Sequence, residues 1–159
     1  MMVDGKLLRI SQGCLGDPGH VIVDGSRQSP CRCGGNGCLE AVASGWALME
    51  RARRLGVEAT PKEIFDRARS GDSRLSQLVK QAAVAVGIGL ATLCVLLNPD
   101  TVVLGGGVAH DAGESFRMQV EQTIRRHAVP FFSRDLRVVL SKAGPSAGVL
   151  GAAALVLFE

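Results

Sequence analysis

One histidine and three cysteines stand in the pattern His20-x10-Cys31-x-Cys33-x4-Cys38. An imidazole and three thiolates are a donor set that structural zinc takes in a closed tetrahedron. Glycines at 34, 35 and 37 let the backbone curl tightly enough to aim several sulfurs at one point. The spacing is not that of a zinc finger, so such a site would pin a loop rather than present a DNA-reading helix. The alternative is a loop of buried thiols, but the flanking glycines offer little apolar cover for them. No Cys-x-x-Cys is present, which argues against dithiol redox chemistry.

Two carboxylates lie near this cluster in sequence: Asp17, three residues before His20, and Glu40, two after Cys38. A loop ordered by metal would carry both toward one region, where carboxylates suit hydrogen bonding to the hydroxyls of a sugar. Glu40 is equally suited to the N-terminal turn of the helix that follows. Two glycine sets offer a second chemistry. The run 105-GGG-107 ends an apolar strand, a place where small residues let a ligand approach the backbone. The segment 144-GPSAG-148 opens the last helix and could present N–H groups to a nucleotide. Neither is a G-x-G-x-x-G or a G-K-[ST] motif, and each is also what a tight turn or a helix cap would need.

The elements that must position these residues fit one domain of 159 residues. A net charge of +3, with Arg51, Arg53, Arg54, Arg125 and Arg126 scattered over two segments, argues for solvated helix faces and against direct nucleic-acid binding. Five cysteines, an odd number, do not form a disulfide framework, and the opening MMVDGKLLRI has no signal-like apolar stretch. The expected compartment is the cytoplasm, where thiols stay reduced. Cys94, within 91-ATLCVLL-97, reads as an inert core residue, whereas Cys14 could lie near the cluster as a further sulfur. The uncharged run 82-AAVAVGIGLATLCVLL-97 is sixteen residues, short of the ~18–20 of a membrane span, so a buried helix is expected.

Asp4-Gly5 predicts a type I′ hairpin turn between Met1–Val3 and a strand at Lys6–Ile10. A long glycine-rich connection over 11–38 contains an expected strand at His20–Val23. The spacing then predicts a helix over 39–55 stopped by Gly56, and a short helix opened by the capping box Thr60-Pro61-Lys62-Glu63. A long helix over 73–97 follows, closed by Pro99. Strand Thr101–Leu104, helix Gly113–Ala128, strand Leu136–Ser141 and helix Ala147–Phe158 complete an α/β order that implies a parallel sheet.

The run 19-GH…CRCGGNGCLEAVASG-45 resembles the signature of the ROK family of repressors and sugar kinases: G-H, a gap, C-x-C-G-x-x-G-C-x-E and a small-residue helix start. Leu97-Asn98-Pro99 before a strand and 105-GGG-107, and Ala147-Gly148 before Gly151-Ala152, agree with it. The resemblance implies an actin-like ATPase fold of the hexokinase/Hsp70 type, of which this α/β chain would be the C-terminal domain, with a zinc-stapled loop and a long buried helix. It implies structural Zn2+ at His20, Cys31, Cys33 and Cys38, sugar contacts from His20 and Glu40, and an adenosine-side role for Gly105, Gly106 and Gly107. Asp17 stands where the family has Glu in E-x-G-H, a carboxylate shorter by one methylene and displaced by roughly 1 Å or more, and Pro18 stiffens the turn. In a kinase of this family, ATP with Mg2+ sits between two domains and a hexose 6-hydroxyl attacks the γ-phosphate. The phosphate loops and the Asp that serves as base belong to an N-terminal region that these residues do not match. The expectations are therefore a sugar- and nucleotide-binding half of a kinase, inactive alone, or the sugar-sensing domain of a repressor. A remnant that self-associates through an exposed half-sheet, as a dimer or larger homo-oligomer, is the third reading.

Overall fold

A computed structural model describes residues 1–8 and 16–157. The long helix α4 (Ser73–Leu97) is the axis on which the other elements are laid. Asp72 opens it, accepting from the N–H groups of Arg74 and Leu75, and Asn98 closes it in the left-handed conformation (φ 44°, ψ 56°) just before Pro99. Both ends follow ordinary capping chemistry, which satisfies N–H groups that have no intrahelical partner. By length and composition α4 could cross a membrane, with a mean hydropathy of 1.9 over its most apolar window. Here its buried residues instead meet neighbouring helices on both sides.

The small residues of α4 explain that packing. A Cβ placed on Gly87 would lie 2.4 Å from Cβ of Thr123 and 3.0 Å from the Val120 carbonyl oxygen, both on α5 (Gly106–His127). A Cβ on Gly89 would lie 3.1 Å from Leu39 Cδ2, at the start of α1 (Leu39–Ala43). Two residues on a helix are turned by about 200°. The two glycines therefore let α5 and α1 approach α4 from opposite sides. The core is completed by α2 (Gly45–Arg54) and α3 (Pro61–Arg69), whose Leu48, Ile64 and Phe65 are fully buried. Phe65 meets Phe116 of α5 edge-on, with ring centroids 6.2 Å apart. The Thr60–Glu63 capping box forms as its sequence demands.

Beyond α4 the chain builds a parallel pair, β3 (Thr101–Leu104) and β4 (Arg137–Leu140), in register from Thr101↔Arg137 to Leu104↔Leu140. α5 is the crossover and α6 (Pro130–Ser133) a single turn after it. Arg117 fastens α5 to the sheet, donating to the Val138 carbonyl and pairing with Glu114 and Glu121. Val138 is buried against the core, whereas Val103 is 61% and Val139 40% exposed, so the opposite face of the pair is bare. The terminal helix α7 (Ala147–Leu157) is apolar along its length yet buries none of its described side chains. At the other end, β1 (Met2–Val3) and β2 (Lys6–Leu7) form the hairpin, with Asp4 (φ 50°) and Gly5 (φ 74°) both at positive φ as a type I′ turn requires.

Three expectations change. The helix over 39–55 is two helices, because Ser44 takes an extended conformation (ψ 162°) and its hydroxyl accepts from the Ala47 N–H. His20–Val23 is not a strand; His20 ends a 3-10 turn, Pro18–His20, and a lone bridge joins Ile22 to Cys38. The helix expected from Gly113 starts instead at Gly106 and is broken at Gly113 (φ 72°, ψ −160°). Of the strand expected over Lys6–Ile10, Lys6–Leu7 forms and Leu8 does not join it; residues 9–10, Cys14 and Phe158 lie outside the described residues.

Alanine is the better helix former, by about 0.8–1 kcal/mol over glycine. Gly87→Ala is nevertheless expected to destabilise the chain by about 1–3 kcal/mol, because its methyl would overlap Thr123. Urea unfolding measures this, and a variant as stable as the parent would show that α4 and α5 do not approach so closely.

Candidate metal and ligand site

The loop before α1 is folded by its own polar groups. Asp24 accepts from the Ser26 N–H (3.0 Å), the Ser26 hydroxyl (2.5 Å) and the Ser29 hydroxyl (2.8 Å), and the Ser26 contact is the chief reason its pKa is lowered. Gly37, at φ 84°, accepts from the Val23 and Asp24 N–H groups through its carbonyl and donates its own N–H to the Ser29 carbonyl. A Cβ there would stand 2.5 Å from the Asp24 carbonyl oxygen, so both the conformation and the space require glycine. These bonds fold the 31–38 segment back on itself and bring its sulfurs together.

The ligand atoms of His20, Cys31, Cys33 and Cys38 all lie within 4.8 Å of one another. Cys33 and Cys38 Sγ are 3.7 Å apart, and Cys31 Sγ is 3.9 Å from His20 Nδ1. A tetrahedron with metal–sulfur bonds of about 2.3 Å has S···S edges of about 3.8 Å, so the spacing suits a single small ion. The thiols are electrically mismatched. The Gly35 N–H, 3.4 Å from Cys33 Sγ, holds the Cys33 pKa down, whereas burial, then the neighbouring sulfurs, push Cys38 up to about 11. A cation among them would compensate three clustered thiolates. The Cys3His group can therefore hold a metal ion. Cys94, buried on α4, is remote in role: its thiol pKa is raised by burial alone.

His20 links this cluster to the two carboxylates. Its Nδ1 faces Cys31 and lies 3.8 Å from Glu40 Oε2, while its Nε2 lies 3.5 Å from Asp17 Oδ2. Asp17 Oδ1 accepts from the Gly19 N–H at 2.9 Å, which fixes the turn that carries His20. Gly19 packs between the carboxylates: its Cβ would sit 3.0 Å from Asp17 Oδ1 and 3.7 Å from Glu40 Cβ. Glu40 is in the first turn of α1 and also aims at His20, so its two readings are not exclusive. Were Nδ1 bound to metal, Nε2 would carry the ring's proton and face outward as a donor.

By helical periodicity Trp46 is one more residue of the apolar face over 39–55. Its indole N–H donates to Glu40 Oε1 at 3.1 Å, and the Arg32 guanidinium lies over its ring, 4.5 Å from the centroid. The i, i+6 separation, spanning the break at Ser44, hid this contact from helical periodicity.

The glycine sets meet elsewhere. The carboxyl ends of β3 and β4 open into a cleft of about 70 Å³ lined by Gly105, Gly106, His110, Ser141 and Gly144. A Cβ on Gly105 would lie 3.4 Å from Ser141 Cβ, so glycine lets the two strand ends approach. Gly107 falls in the first turn of α5 and does not line the cleft. A crevice beyond the carboxyl ends of parallel strands is where α/β proteins bind ligands.

The Cys3His cluster with its two neighbouring carboxylates and the separate glycine-lined cleft at the strand ends are the two candidate sites of this α/β fold. The chain belongs to the ROK family, which it matches over residues 1–159. It is 29% identical to a glucokinase of Halalkalibacterium halodurans, over 98% of this chain and 52% of that protein. It is 30% identical to a xylose repressor of Caldicellulosiruptor bescii, over 100% of this chain and 43% of that protein. Among solved structures, a ROK glucokinase from Streptomyces griseus in complex with glucose and AMPPNP superimposes with a TM-score of 0.82 at 30% identity, over 97% of this chain and 55% of that one. The chain thus spans about half the length of the relatives it matches.

Metal analysis of the purified chain tests the cluster. Cys38→Ser, at its buried centre, is expected to abolish retention of a divalent ion, while Cys94→Ser leaves the metal content of the parent unchanged. Equal content in both variants would place the ion elsewhere.

Proposed function

We propose that these residues form the zinc-containing, sugar- and nucleotide-binding half of a ROK sugar kinase. The observation that carries this reading is His20, whose two ring nitrogens face the cysteine cluster on one side and Asp17 on the other, with Glu40 alongside. Three thiolates and one imidazole favour zinc over harder cations, and zinc bound there would be structural, supplying rigidity to the loop. Asp17 and Glu40 would accept from sugar hydroxyls, His20 Nε2–H would donate to one, and Trp46 would hold Glu40 in place. The cleft at Gly105, Gly106 and Gly144 would take the nucleotide, with backbone N–H groups toward its polar atoms.

In such a kinase a sugar hydroxyl attacks the γ-phosphoryl group of Mg-ATP, and the base that accepts the hydroxyl proton would come from the other half of the fold. Mg-ATP with glucose or an N-acetylated hexose is therefore expected to give no sugar phosphate with the 159-residue chain alone; turnover would refute the proposed division of labour. Sugar binding does not require the base. Titration calorimetry with the same sugars is expected to show binding that falls by ~10-fold or more in Glu40→Gln, the loss of a charge-assisted hydrogen bond. Zinc at about one per chain without sugar affinity in the parent would leave only the structural part of the proposal standing.

The second reading, the sugar-sensing domain of a ROK repressor, is favoured by the xylose repressor's match to 100% of this chain. The same sugar site would then report occupancy to a DNA-binding segment elsewhere, and the chain itself would not contact nucleic acid. In either reading the bare face of β3 and β4 and the uncovered α7 are apolar surfaces that water does not favour. The isolated chain is expected to run as a dimer or larger homo-oligomer in size-exclusion chromatography with light scattering. A monodisperse monomer would show that these faces need no partner.

A further inference from the structure

A groove of about 210 Å³ lies between the end of α2 and the first half of α4, lined by Arg51, Arg54, Leu55, Arg74, Leu78 and Gln81. Three of the six lining residues are arginines and none is a carboxylate. Arg51 is half-buried and committed: it donates to the Val42 carbonyl at 2.8 Å and to the Gln81 side-chain oxygen. Burial, with the nearby Arg54 charge, lowers its pKa, and Asp24 opposes this only weakly. Arg74 donates to the Leu55 carbonyl at 3.2 Å, and its nearest acid, Asp72, is 3.6 Å away and already bonded to Arg67. Arg54 makes no side-chain hydrogen bond among the described residues; its nearest acid, Glu50, is 3.6 Å away and bonded to Arg53 at 2.9 Å. Crowded guanidinium groups with unused donors are the arrangement that binds a tetrahedral oxyanion, because the planar fork matches two of its oxygens.

We propose that the groove formed by Arg51, Arg54 and Arg74 is a binding site for a phosphate group, free or carried as a monoester. Arg54 and Arg74 supply the free N–H donors, and Arg51 supplies fixed positive charge from beneath. The site is separate from the His20 region and from the cleft at Gly105, and it does not depend on either being occupied.

The test is thermal unfolding of the metal-loaded chain in inorganic phosphate against chloride of equal ionic strength. Ten-millimolar phosphate is expected to raise the midpoint by about 3 °C, as a ligand of roughly millimolar affinity would. Arg54→Ala/Arg74→Ala is expected to lose that shift. Arg126→Ala/Arg134→Ala, which removes the same charge elsewhere, is expected to keep it. Should the first pair not fold, Arg54→Gln/Arg74→Gln takes its place. Glucose 6-phosphate run beside phosphate and glucose separates the sources: a larger shift than phosphate assigns the site to a sugar monoester, an equal one to the free ion. No phosphate shift in the parent, a shift retained in the groove variants, or an equal loss in the control pair would each overturn the proposal.

Discussion

Everything in this chain depends on how closely other elements can approach α4. Its alanines and glycines carry no bulk, so α5 sits against Gly87 on one side and α1 against Gly89 on the other. The first contact sets the crossover helix and, through Arg117 on the Val138 carbonyl, the strand pair whose ends form the glycine-lined cleft. The second contact places Leu39, and with it the neighbouring residues Cys38 and Glu40. Val23 of the folded loop reaches the same glycine, 3.6 Å from where its Cβ would be. One helix thus carries both candidate sites, and a methyl on either side of it would move one of them.

At the first site the ordering runs from the loop's backbone to the ligand atoms. Asp24 and Gly37 fold the segment, the fold gathers the sulfurs, and His20 is drawn in from the other arm by its own short turn. The imidazole is the only member of the cluster with a second polar atom to offer. Its ring thus reaches the cysteines through Nδ1 and Asp17 through Nε2, while Glu40 Oε2 lies 3.8 Å from that Nδ1 and 3.7 Å from the Cys31 thiol. Trp46 adds a neutral donor to Glu40, which steadies the carboxylate without neutralising it.

Much of this was legible in the sequence because the signals were local. Asp4-Gly5, the Thr60–Glu63 box and the Pro99 stop each name their own geometry, and each forms as expected. The metal-ligand spacing was equally local, since glycines leave few ways to arrange three cysteines eight residues end to end. What was not legible is tertiary. The break at Ser44 interrupts a run whose apolar period continues through it, and a Cβ on the adjacent Gly45 would lie 3.4 Å from Pro61 Cγ of α3. Gly113 breaks α5 at the point where the sequence pattern predicts a helix start. The Trp46–Glu40 contact exists only because α1 and α2 are separately oriented.

The distribution of apolar surface separates what this chain stabilises from what it leaves to others. Leu48, Ile64, Phe65, Leu75, Val120 and Ile124 are all fully buried, so the helical layer around α4 is a closed core. The strand pair is closed on one face only, and α7, with Val156 at 83% exposure, contributes nothing to the interior. A two-stranded sheet is marginal unless it is covered, so β3 and β4 owe their place to α5 beneath them. Their second face and α7 lie beside the glycine cleft in the chain's order. The asymmetry follows from the crossover: α5 covers the strand pair on its core side, where Val138 is buried, and leaves Val103 and Val139 exposed on the other.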